Sequence, residues 1–321
     1  MKNKKSIIWN LTRACAWNCK FCCVSAKYVK DFEKINLGRD ENYRFQGELD
    51  FNSKVRIIDQ LKEGDFRIDF SGGDLLIDPL NLDLIIYASE KLGKENVGIS
   101  ISGAFVTEEI VERLRGKIND VEITLDYLPY YHYKMRPAGY HEYAAKAMKL
   151  FESAGFVVGA QTVITKDNIS KEKLMNLYSW LEENKIDEWS ILRFFSSGRG
   201  KYFSELKPTH EEYCQMVDYI KEITAKGNIK VDFQYLLPNH EKYTLDCRAV
   251  KRSIGILTDG TVVGCFWALD ENMKPVDDRY ILGKLPDMNI YDILENKKSK
   301  YWLENENSCG FFTYEELECM V

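Results

Sequence analysis

The sequence is poor in the features that mark membrane, secreted and nucleic-acid-binding proteins. No apolar run approaches the length of about 18 residues that a membrane-spanning helix needs, and the basic start MKNKKS lacks the apolar stretch and cleavage site of a signal peptide. Acidic residues outnumber Lys and Arg by 50 to 44, which disfavours a broad nucleic-acid surface. The four histidines are scattered and form no metal-binding pair. We therefore expect a cytoplasmic protein that binds neither membranes nor nucleic acid.

Apolar residues and cysteines, in contrast, are plentiful. The hydrophobic content of 45% over 321 residues is ample for a core without disulfide staples. In a reducing compartment, clustered cysteines usually bind metal or carry out chemistry. Four of the nine cysteines lie within CAWNCKFCC, residues 15–23. This cluster is the first candidate site.

Short β-branched or apolar runs alternate with longer amphipathic stretches from residue 6 to about 235, which indicates βα units and a parallel sheet. Six strands are predicted, at 7–12, 66–71, 97–102, 121–126, 156–165 and 189–195. Helices are predicted at 53–63, at 106–115 and at 170–184 with Ser170 as the N-cap. Six units predict an α/β fold, a partial (β/α)6 TIM-like barrel over residues 1–236. The pattern then changes, which predicts a small second domain over residues 237–321.

Cys15, Cys19 and Cys22 follow the first predicted strand with the spacing C-x3-C-x2-C. Barrel proteins of this kind place their active sites at that end of the strands. A structural zinc site needs four ligands, and Cys23 is poorly placed as the fourth because it is adjacent to Cys22. Three thiolates instead leave one iron of an iron–sulfur cluster open. Inert buried thiols are disfavoured, since three cysteines within eight loop residues have no packing reason.

With Phe21 before its last cysteine, this motif resembles the signature of the radical S-adenosylmethionine (SAM) enzymes. In that family the open iron of a [4Fe–4S] cluster binds SAM, and a 5′-deoxyadenosyl radical then removes hydrogen from the substrate. The resemblance implies that Cys15, Cys19 and Cys22 are the cluster ligands and that Phe21 lies beside the cofactor.

Weaker motifs follow in the order that the family shows. The stretch Gly72-Gly73-Asp74 is similar to the Gly-Gly-Glu motif that receives the SAM ammonium group, although Asp shortens the reach. Ser100 and Ser102 fall where the family contacts the ribose, and Asp126 belongs to a stretch that resembles Ser-Leu-Asp. Taken alone, these residues also fit a tight turn, ordinary strand positions and a solvated strand end.

The second cysteine set comprises Cys247, Cys265, Cys309 and Cys319. Its first half, with Gly260 between the cysteines, resembles the opening of the SPASM and twitch extensions of radical SAM enzymes. The resemblance and the count imply one auxiliary [4Fe–4S] cluster with four thiolates, hence two clusters and SAM as cofactors. Zinc is the alternative, since four thiolates also satisfy zinc. Gly260 permits the tight turn that brings Cys265 toward Cys247.

Several further residues have two interpretations each. Cys214 lies on a predicted helix, where a half-buried structural thiol is favoured over a catalytic one, while Cys23 either faces the active site or packs behind the loop. Both are candidate hydrogen donors. The loop 127–140 holds five tyrosines, which form either a substrate wall or packing over the barrel. Arg136, Arg193 and Arg199 are candidates to bind a carboxylate, but a solvated surface position is the favoured interpretation.

The resemblance implies hydrogen abstraction from an unactivated carbon, with an electron donor such as flavodoxin or ferredoxin. The first hypothesis is a maturase that epimerises, oxidises or cross-links a ribosomally made peptide. The first predicted strand begins near residue 6, so we expect the barrel mouth, the tyrosine loop or a separate partner to bind the peptide. The second hypothesis is a small-molecule dehydrogenase that acts on a sugar or aminocyclitol alcohol. A third is a non-catalytic iron–sulfur or zinc-binding interaction protein.

Overall fold

The computed structural model describes residues 4–30, 47–234, 237 and 247–304. Within these ranges the strands are β1 (Lys5–Asn10), β2 (Ala14–Cys15), β3 (Lys27–Tyr28), β4 (Phe66–Ser71), β5 (Val97–Ile101), β6 (Asp120–Thr124), β7 (Val157–Ile164), β8 (Glu188–Arg193), β9 (Lys230–Phe233), β10 (Ser253–Ile256), β11 (Thr261–Val263) and β12 (Ile281–Lys284). The helices are α1 (Phe51–Gln60), α2 (Pro79–Leu92), α3 (Glu108–Leu114), α4 (Tyr140–Ser153), α5 (Lys171–Glu183), α6 (His210–Thr224), α7 (Ile290–Glu295) and α8 (Lys297–Glu304). No helix in these ranges has the length and apolar character needed to cross a membrane.

The sheet has the order β12-β11-β10-β1-β4-β5-β6-β7-β8-β9, and β1 and β4 to β9 run parallel. The helices α1 to α6 connect successive parallel strands, which makes six βα units. This arrangement confirms the predicted α/β class and the partial barrel, and all six predicted strands are present as β1 and β4 to β8. The short strand β9 was not predicted, because its four residues, KVDF, are too few for their alternation of polar and apolar side chains to stand out.

Alternation along each strand separates the core from the barrel interior. In β4, Phe66, Ile68 and Phe70 are buried in the large core, whereas Arg67 and Asp69 alternate with them and point to the other face. Burying a large apolar side chain contributes about 1.5–3 kcal/mol, so the outer face of the sheet supplies most of the stability of the barrel. The inner face is free to carry polar residues.

Polar side chains close the interior near the amino ends of the strands. Arg67 Nη2 lies 2.8 Å from Oδ1 of both Asp69 and Asp120. Burial acts to lower the pKa of Arg67, but these two carboxylates outweigh it and raise the pKa. In barrels of this kind the active site lies at the opposite end, where the strands finish.

Two predicted helix starts can be compared with the structure. The helix predicted at 106–115 is α3, which begins after Thr107, whose hydroxyl accepts the backbone N–H of Ile110. Ser170 does occupy the N-cap position of α5, but its side chain makes no capping hydrogen bond.

The last three strands extend the same sheet. β10 pairs in parallel with β1, placing Ile254 beside Ile7, and β11 and β12 continue in antiparallel order. Gly260 forms the turn between β10 and β11 with φ of +85°, and a Cβ there would overlap the Leu285 carbonyl oxygen. The division into 1–236 and 237–321 stays a prediction. The strands that follow residue 236 join the barrel sheet through the pairing of β10 with β1.

Candidate active site

The cysteine loop leaves the carboxyl end of β1 and returns to it. Cys15 lies on β2, which pairs in parallel with β3, while Cys19 and Cys22 follow on the connecting loop. Backbone N–H groups point at two of the sulfurs: Trp17 donates to Cys15 Sγ and Ala26 to Cys22 Sγ, both at 3.4 Å. Burial raises the pKa of the Cys15 thiol, and a bound metal would offset that cost because a coordinating thiol is deprotonated.

The donor set of this loop fits an iron–sulfur cluster. The thiols of Cys15, Cys19 and Cys22 are close enough to interact electrostatically. Within the described ranges, no three His, Cys, Asp or Glu side chains surround a point where a single ion would bind. A [4Fe–4S] cluster takes each thiolate on a different iron, so its ligands need no such convergence.

The segment after β8 holds the cysteine loop in place. Arg199 donates from Nη2 and Nε to the Cys19 carbonyl at 2.8 and 3.2 Å, and its backbone N–H donates to the Cys22 carbonyl at 3.0 Å. Gly198 has φ of +56°, and a Cβ there would overlap the carbonyl oxygens of Cys22 and Cys23. The favoured surface position for Arg199 was therefore wrong, because its guanidinium satisfies loop carbonyls.

Gly72 and Gly73 let the end of β4 touch the cysteine loop. The N–H of Gly73 donates to the Thr12 carbonyl at 2.8 Å, and a Cβ on Gly73 would overlap the Ala14 carbonyl oxygen. Gly72 has φ of +141°, which favours glycine. Gly72 and Gly73 therefore form a tight turn, and this turn packs directly against the cysteine loop. The two interpretations of the motif are compatible.

Asp74 does not line the cavity at which its neighbours lie. Its carboxylate accepts hydrogen bonds from the Ser102 hydroxyl and from the Leu76 N–H, the latter at 3.2 Å. Burial raises the pKa of Asp74 to about 6. Ser102 in turn accepts the indole N–H of Trp17 at 2.9 Å, so a chain of hydrogen bonds joins the cysteine loop to β5.

Asp126 contacts Arg136 and does not line the cavity. Arg136 Nε donates to Asp126 Oδ2 at 2.7 Å, and its Cζ lies 4.6 Å from the ring centroids of both Phe21 and Tyr140. Burial raises the pKa of the Cys19 thiol, and the nearby Arg136 cation acts against that shift. Burial acts to lower the pKa of Arg136, but Asp126, Tyr140 and Cys19 raise it well above the ordinary value.

Arg193 is buried and the Arg136 side chain is only 9% exposed, so the favoured surface interpretation was wrong for them as well. Arg136 lies between two aromatic rings, and Arg193 lies on β8 with its Cζ 5.0 Å from the Tyr213 ring. A planar guanidinium stacks on aromatic faces in this way. Both arginines line the cavity.

The tyrosine loop is divided between packing and exposure. Tyr127, Tyr133 and Tyr140 are buried, whereas Tyr130 is 78% exposed and Tyr131 is 45% exposed. Tyr131 stacks on Tyr127, with ring centroids 4.6 Å apart. Most of the loop packs over the rim of the barrel, and its tip projects outward.

One cavity of about 800 Å³ connects these elements. The three motif cysteines, Cys23, Phe21, Gly72, Gly73, Ser100, Ser102, Thr124, Arg136 and Cys265 all line it. Most of the predicted site residues therefore meet at this cavity, whereas Asp74 and Asp126 do not line it. The sequence motifs indicated Asp126, just beyond the end of β6, but no residue within that strand.

Glu122 lies within β6 and faces the same cavity. Its carboxylate accepts hydrogen bonds from Gln161 and from Ser190 Oγ, the latter at 3.2 Å. Burial raises its pKa to about 7, and Asp69 adds to the effect. The signal in the sequence was a charged residue inside VEITLD, a strand whose other face is buried.

Cys23 and Cys214 differ in their relation to the cavity. Cys23 lines it, and burial raises the pKa of its thiol to about 12 with Cys22 adding to the shift. Cys214 lies on α6 with Sγ 3.5 Å from His210 Nε2, and it is absent from the cavity lining.

The structure describes two of the four cysteines in the second set, Cys247 and Cys265. Cys247 and Cys265 are close enough to interact electrostatically, and burial raises the pKa of Cys265 to about 11. The backbone at Trp267 and Ala268 acts against this rise in pKa. Cys309 and Cys319 lie outside the described residues. The auxiliary cluster therefore stays a prediction.

A model of the Radical SAM superfamily matches residues 9–181, which is more than half of the chain. The chain belongs to the radical SAM superfamily. As a member it uses SAM and a [4Fe–4S] cluster.

The curated relatives of this chain include enzymes named for the synthesis of Fe-coproporphyrin III and of heme. The chain is 29% identical over 229 residues to the Fe-coproporphyrin III synthase of Methanosarcina barkeri, covering 70% of this chain and 53% of that protein. It is 23% identical over 220 residues to the AdoMet-dependent heme synthase of Nitratidesulfovibrio vulgaris, covering 67% and 55%. The match thus spans about half the length of these relatives.

The fold resembles two solved structures that contain a bound peptide. Streptococcus suis SuiB bound to its precursor peptide SuiA superposes with a TM-score of 0.72 at 16% identity, covering 97% of this chain and 70% of that one. The anSMEcpe enzyme with bound AdoMet and the Cp18Cys peptide gives a TM-score of 0.67 at 16% identity, covering 98% and 85%. At this identity the likeness shows the fold alone.

Proposed function

We propose that this enzyme holds its SAM-binding cluster on Cys15, Cys19 and Cys22 and removes a hydrogen atom from a carbon of a ribosomally made peptide. One observation carries the proposal: the cysteine loop, the Gly72-Gly73 turn and Arg136 meet at a single cavity of about 800 Å³. A cavity of that size accepts a cofactor and a substrate group together. When bound, the cluster and SAM supply the electron and the 5′-deoxyadenosyl radical.

The residues of the chain have distinct parts in this proposal. Arg136, fixed by Asp126 and by the rings of Phe21 and Tyr140, presents a cation to a carboxylate of SAM or substrate. Asp74 orients Ser102 through a hydrogen bond, and Ser102 and the Gly72-Gly73 backbone contact SAM. This assignment modifies the direct role that the motif implied for Asp74.

Glu122 is placed to hold or accept a proton in the interior. Its carboxylate lies between Gln161 and Ser190 on the cavity wall, so a substrate group with a polar hydrogen can approach it. If the substrate radical is oxidised, a proton must leave, and a buried carboxylate with a pKa near neutrality is suited to take it.

The second cysteine set is proposed to hold an auxiliary [4Fe–4S] cluster on Cys247, Cys265, Cys309 and Cys319. The proximity of Cys247 to Cys265 supports it. Cys265 also lines the cavity, so an electron from a substrate radical has a short path to this site.

A peptide is the proposed substrate because two proteins that share this fold over nearly the whole chain were crystallised with peptides. Iron porphyrins are the second candidate. Sequence similarity to synthases of Fe-coproporphyrin III and heme favours them, and Arg193, Arg248 and Arg252 line the cavity, where they suit carboxylate side chains.

The test uses anaerobically reconstituted protein, dithionite and SAM. We expect 5′-deoxyadenosine from the wild-type enzyme. Its formation should increase with synthetic peptides translated from short reading frames beside the gene, and deuterium should pass from a labelled peptide into 5′-deoxyadenosine. Stimulation by Fe-coproporphyrin III but by no peptide would replace the peptide with the porphyrin. Absence of 5′-deoxyadenosine under every condition would contradict the proposal as a whole.

A further inference from the structure

Asn10, the last residue of β1, is a buried polar residue that lacks hydrogen-bond partners for its side chain. It is 0% exposed, and neither Nδ2 nor Oδ1 has a partner among the described residues. Burying an amide without hydrogen bonds costs free energy, and such groups are nearly always satisfied in native proteins. An amide kept at this cost indicates that a further group binds beside it.

The side chain of Asn10 points toward the barrel interior. On β1, Ile7 and Trp9 are buried in the large core on the outer face of the sheet. Ser6 and Ile8, which alternate with them, line the cavity. Asn10 continues the row of Ser6 and Ile8 toward the carboxyl end of the strand. It therefore lies at the end of the barrel where the cysteine loop begins.

The neighbour of Asn10 on β4 leads to the cysteine loop. Asn10 pairs with Ser71, which lines the cavity. Two residues after Ser71, the N–H of Gly73 donates to the Thr12 carbonyl at 2.8 Å. On this side, Asn10 is therefore next to the turn that packs against the loop.

The neighbour of Asn10 on the other side contacts the loop as well. Trp9 pairs with Ile256 at the end of β10, so the residue that follows, Leu257, lies beside Asn10. Leu257 is buried in one cluster with Cys15. This cluster consists largely of apolar and sulfur-bearing side chains, so a water molecule would find few of the roughly two to four polar partners that it needs. A cofactor held by the loop is the better partner for the amide.

We propose that Asn10 Nδ2 donates a hydrogen bond to a sulfur of the SAM-binding [4Fe–4S] cluster and thereby raises the reduction potential of that cluster. The inference rests on the proposed function, since it takes Cys15, Cys19 and Cys22 as the ligands. The sulfurs of a cluster accept hydrogen bonds and donate none, so the amide nitrogen makes the contact. Reduction adds negative charge to these sulfurs, which an N–H donor stabilises, and hydrogen bonds of this kind help to set cluster potentials.

The experiment is a potentiometric titration of the anaerobically reconstituted enzyme, followed by electron paramagnetic resonance. The signal that changes when SAM is added identifies the SAM-binding cluster and separates it from an auxiliary one. Asn10→Leu and Asn10→Asp are compared with the wild type, because both nearly keep the shape of the side chain and remove its N–H groups. Trp9→Phe is the matched control: Trp9 Nε1 is also buried without a partner among the described residues, but its ring lies on the outer face of β1.

We expect Asn10→Leu to lower the ratio of reduced to oxidised cluster at a fixed potential about tenfold, which corresponds to about 59 mV for a one-electron couple. Asn10→Asp should lower the ratio at least as far, because a carboxylate adds negative charge, and it keeps the test valid if Asn10→Leu impairs cluster assembly. The iron content should stay at the wild-type level. Trp9→Phe should keep the wild-type potential even where it lowers the melting temperature.

A wild-type potential in both Asn10 variants would overturn the inference and assign the amide to a buried water molecule. An equal shift in Trp9→Phe would also overturn it, since any change in β1 would then move the potential. Loss of iron from both Asn10 variants would favour a structural role instead. These outcomes leave the proposed function intact. If no signal of the wild type responds to SAM, the proposed function itself fails, and this inference fails with it.

Discussion

The two cysteine regions of this chain are built in different ways. Cys15, Cys19 and Cys22 lie within eight residues on one loop, and other elements hold that loop through Arg199, Gly73 and Trp17. Cys247 and Cys265 are distant in sequence and meet through the folding of β10 and β11. A site of the first kind is encoded by local spacing, whereas one of the second kind depends on the tertiary structure around it. We expect disruption of the first site to stop SAM cleavage, and disruption of the second to leave the first loop and part of the cleavage intact.

The largest expected effect comes from removing the first site. Replacing Cys15, Cys19 and Cys22 together with Ala should abolish SAM cleavage and lower the iron content from about eight to about four per chain, since one [4Fe–4S] cluster is lost. Iron analysis and chromatographic assay of 5′-deoxyadenosine check both results. Cys214→Ala is the control and should keep the iron. Cleavage by the triple variant would contradict the ligand assignment.

The second largest effect tests whether SAM cleavage requires the cysteine loop to keep its exact position. Gly73→Ala places a Cβ on the Ala14 carbonyl oxygen, so the loop has to move, and a displacement of about 1 Å can cost about a hundredfold in rate. We expect a loss of about that size in SAM cleavage. Gly116→Ala is the control: Gly116 has φ of +69° but nothing within 4 Å, so the variant should lower the melting temperature without slowing cleavage. Equal activities of the two variants would show that the loop tolerates displacement.

The sequence allowed the local features to be predicted better than the contacts between elements. The cysteine triplet and six strands were recognised because spacing and apolar runs are local properties. The hydrogen bonds from Arg199 to the cysteine loop and the pairing of β10 with β1 were not predicted, because they join segments that are far apart in the chain. Surface positions were favoured for Arg136 and Arg193 because a charged residue is seldom buried, and this prior fails where a carboxylate and aromatic rings surround the guanidinium.

A moderate effect is expected from the second site. Cys247→Ala should remove the auxiliary cluster and lower iron by about four per chain, while SAM cleavage persists at a reduced rate because the first loop is intact. Conversion of substrate should fall further than cleavage does. Zinc in place of iron at this site, found by metal analysis of the wild type, would contradict the auxiliary cluster. Equal loss of cleavage in Cys247→Ala and the triple variant would show that the second site supports the fold.

The smallest effects concern the two remaining thiols and separate epimerisation from oxidation. A substrate radical that is quenched needs a hydrogen donor at the cavity, and Cys23 lines the cavity whereas Cys214 lies on α6 beside His210. If the enzyme epimerises its peptide, Cys23→Ala should lose turnover severalfold or more, Cys214→Ala should match the wild type, and the product formed in deuterated water should carry one solvent deuterium. Mass spectrometry of the peptide measures this directly. Full turnover by Cys23→Ala, with a product that has lost two hydrogens, would exclude quenching by that thiol. The radical would then lose its electron instead, and Glu122 on the cavity wall would be the group placed to take the proton.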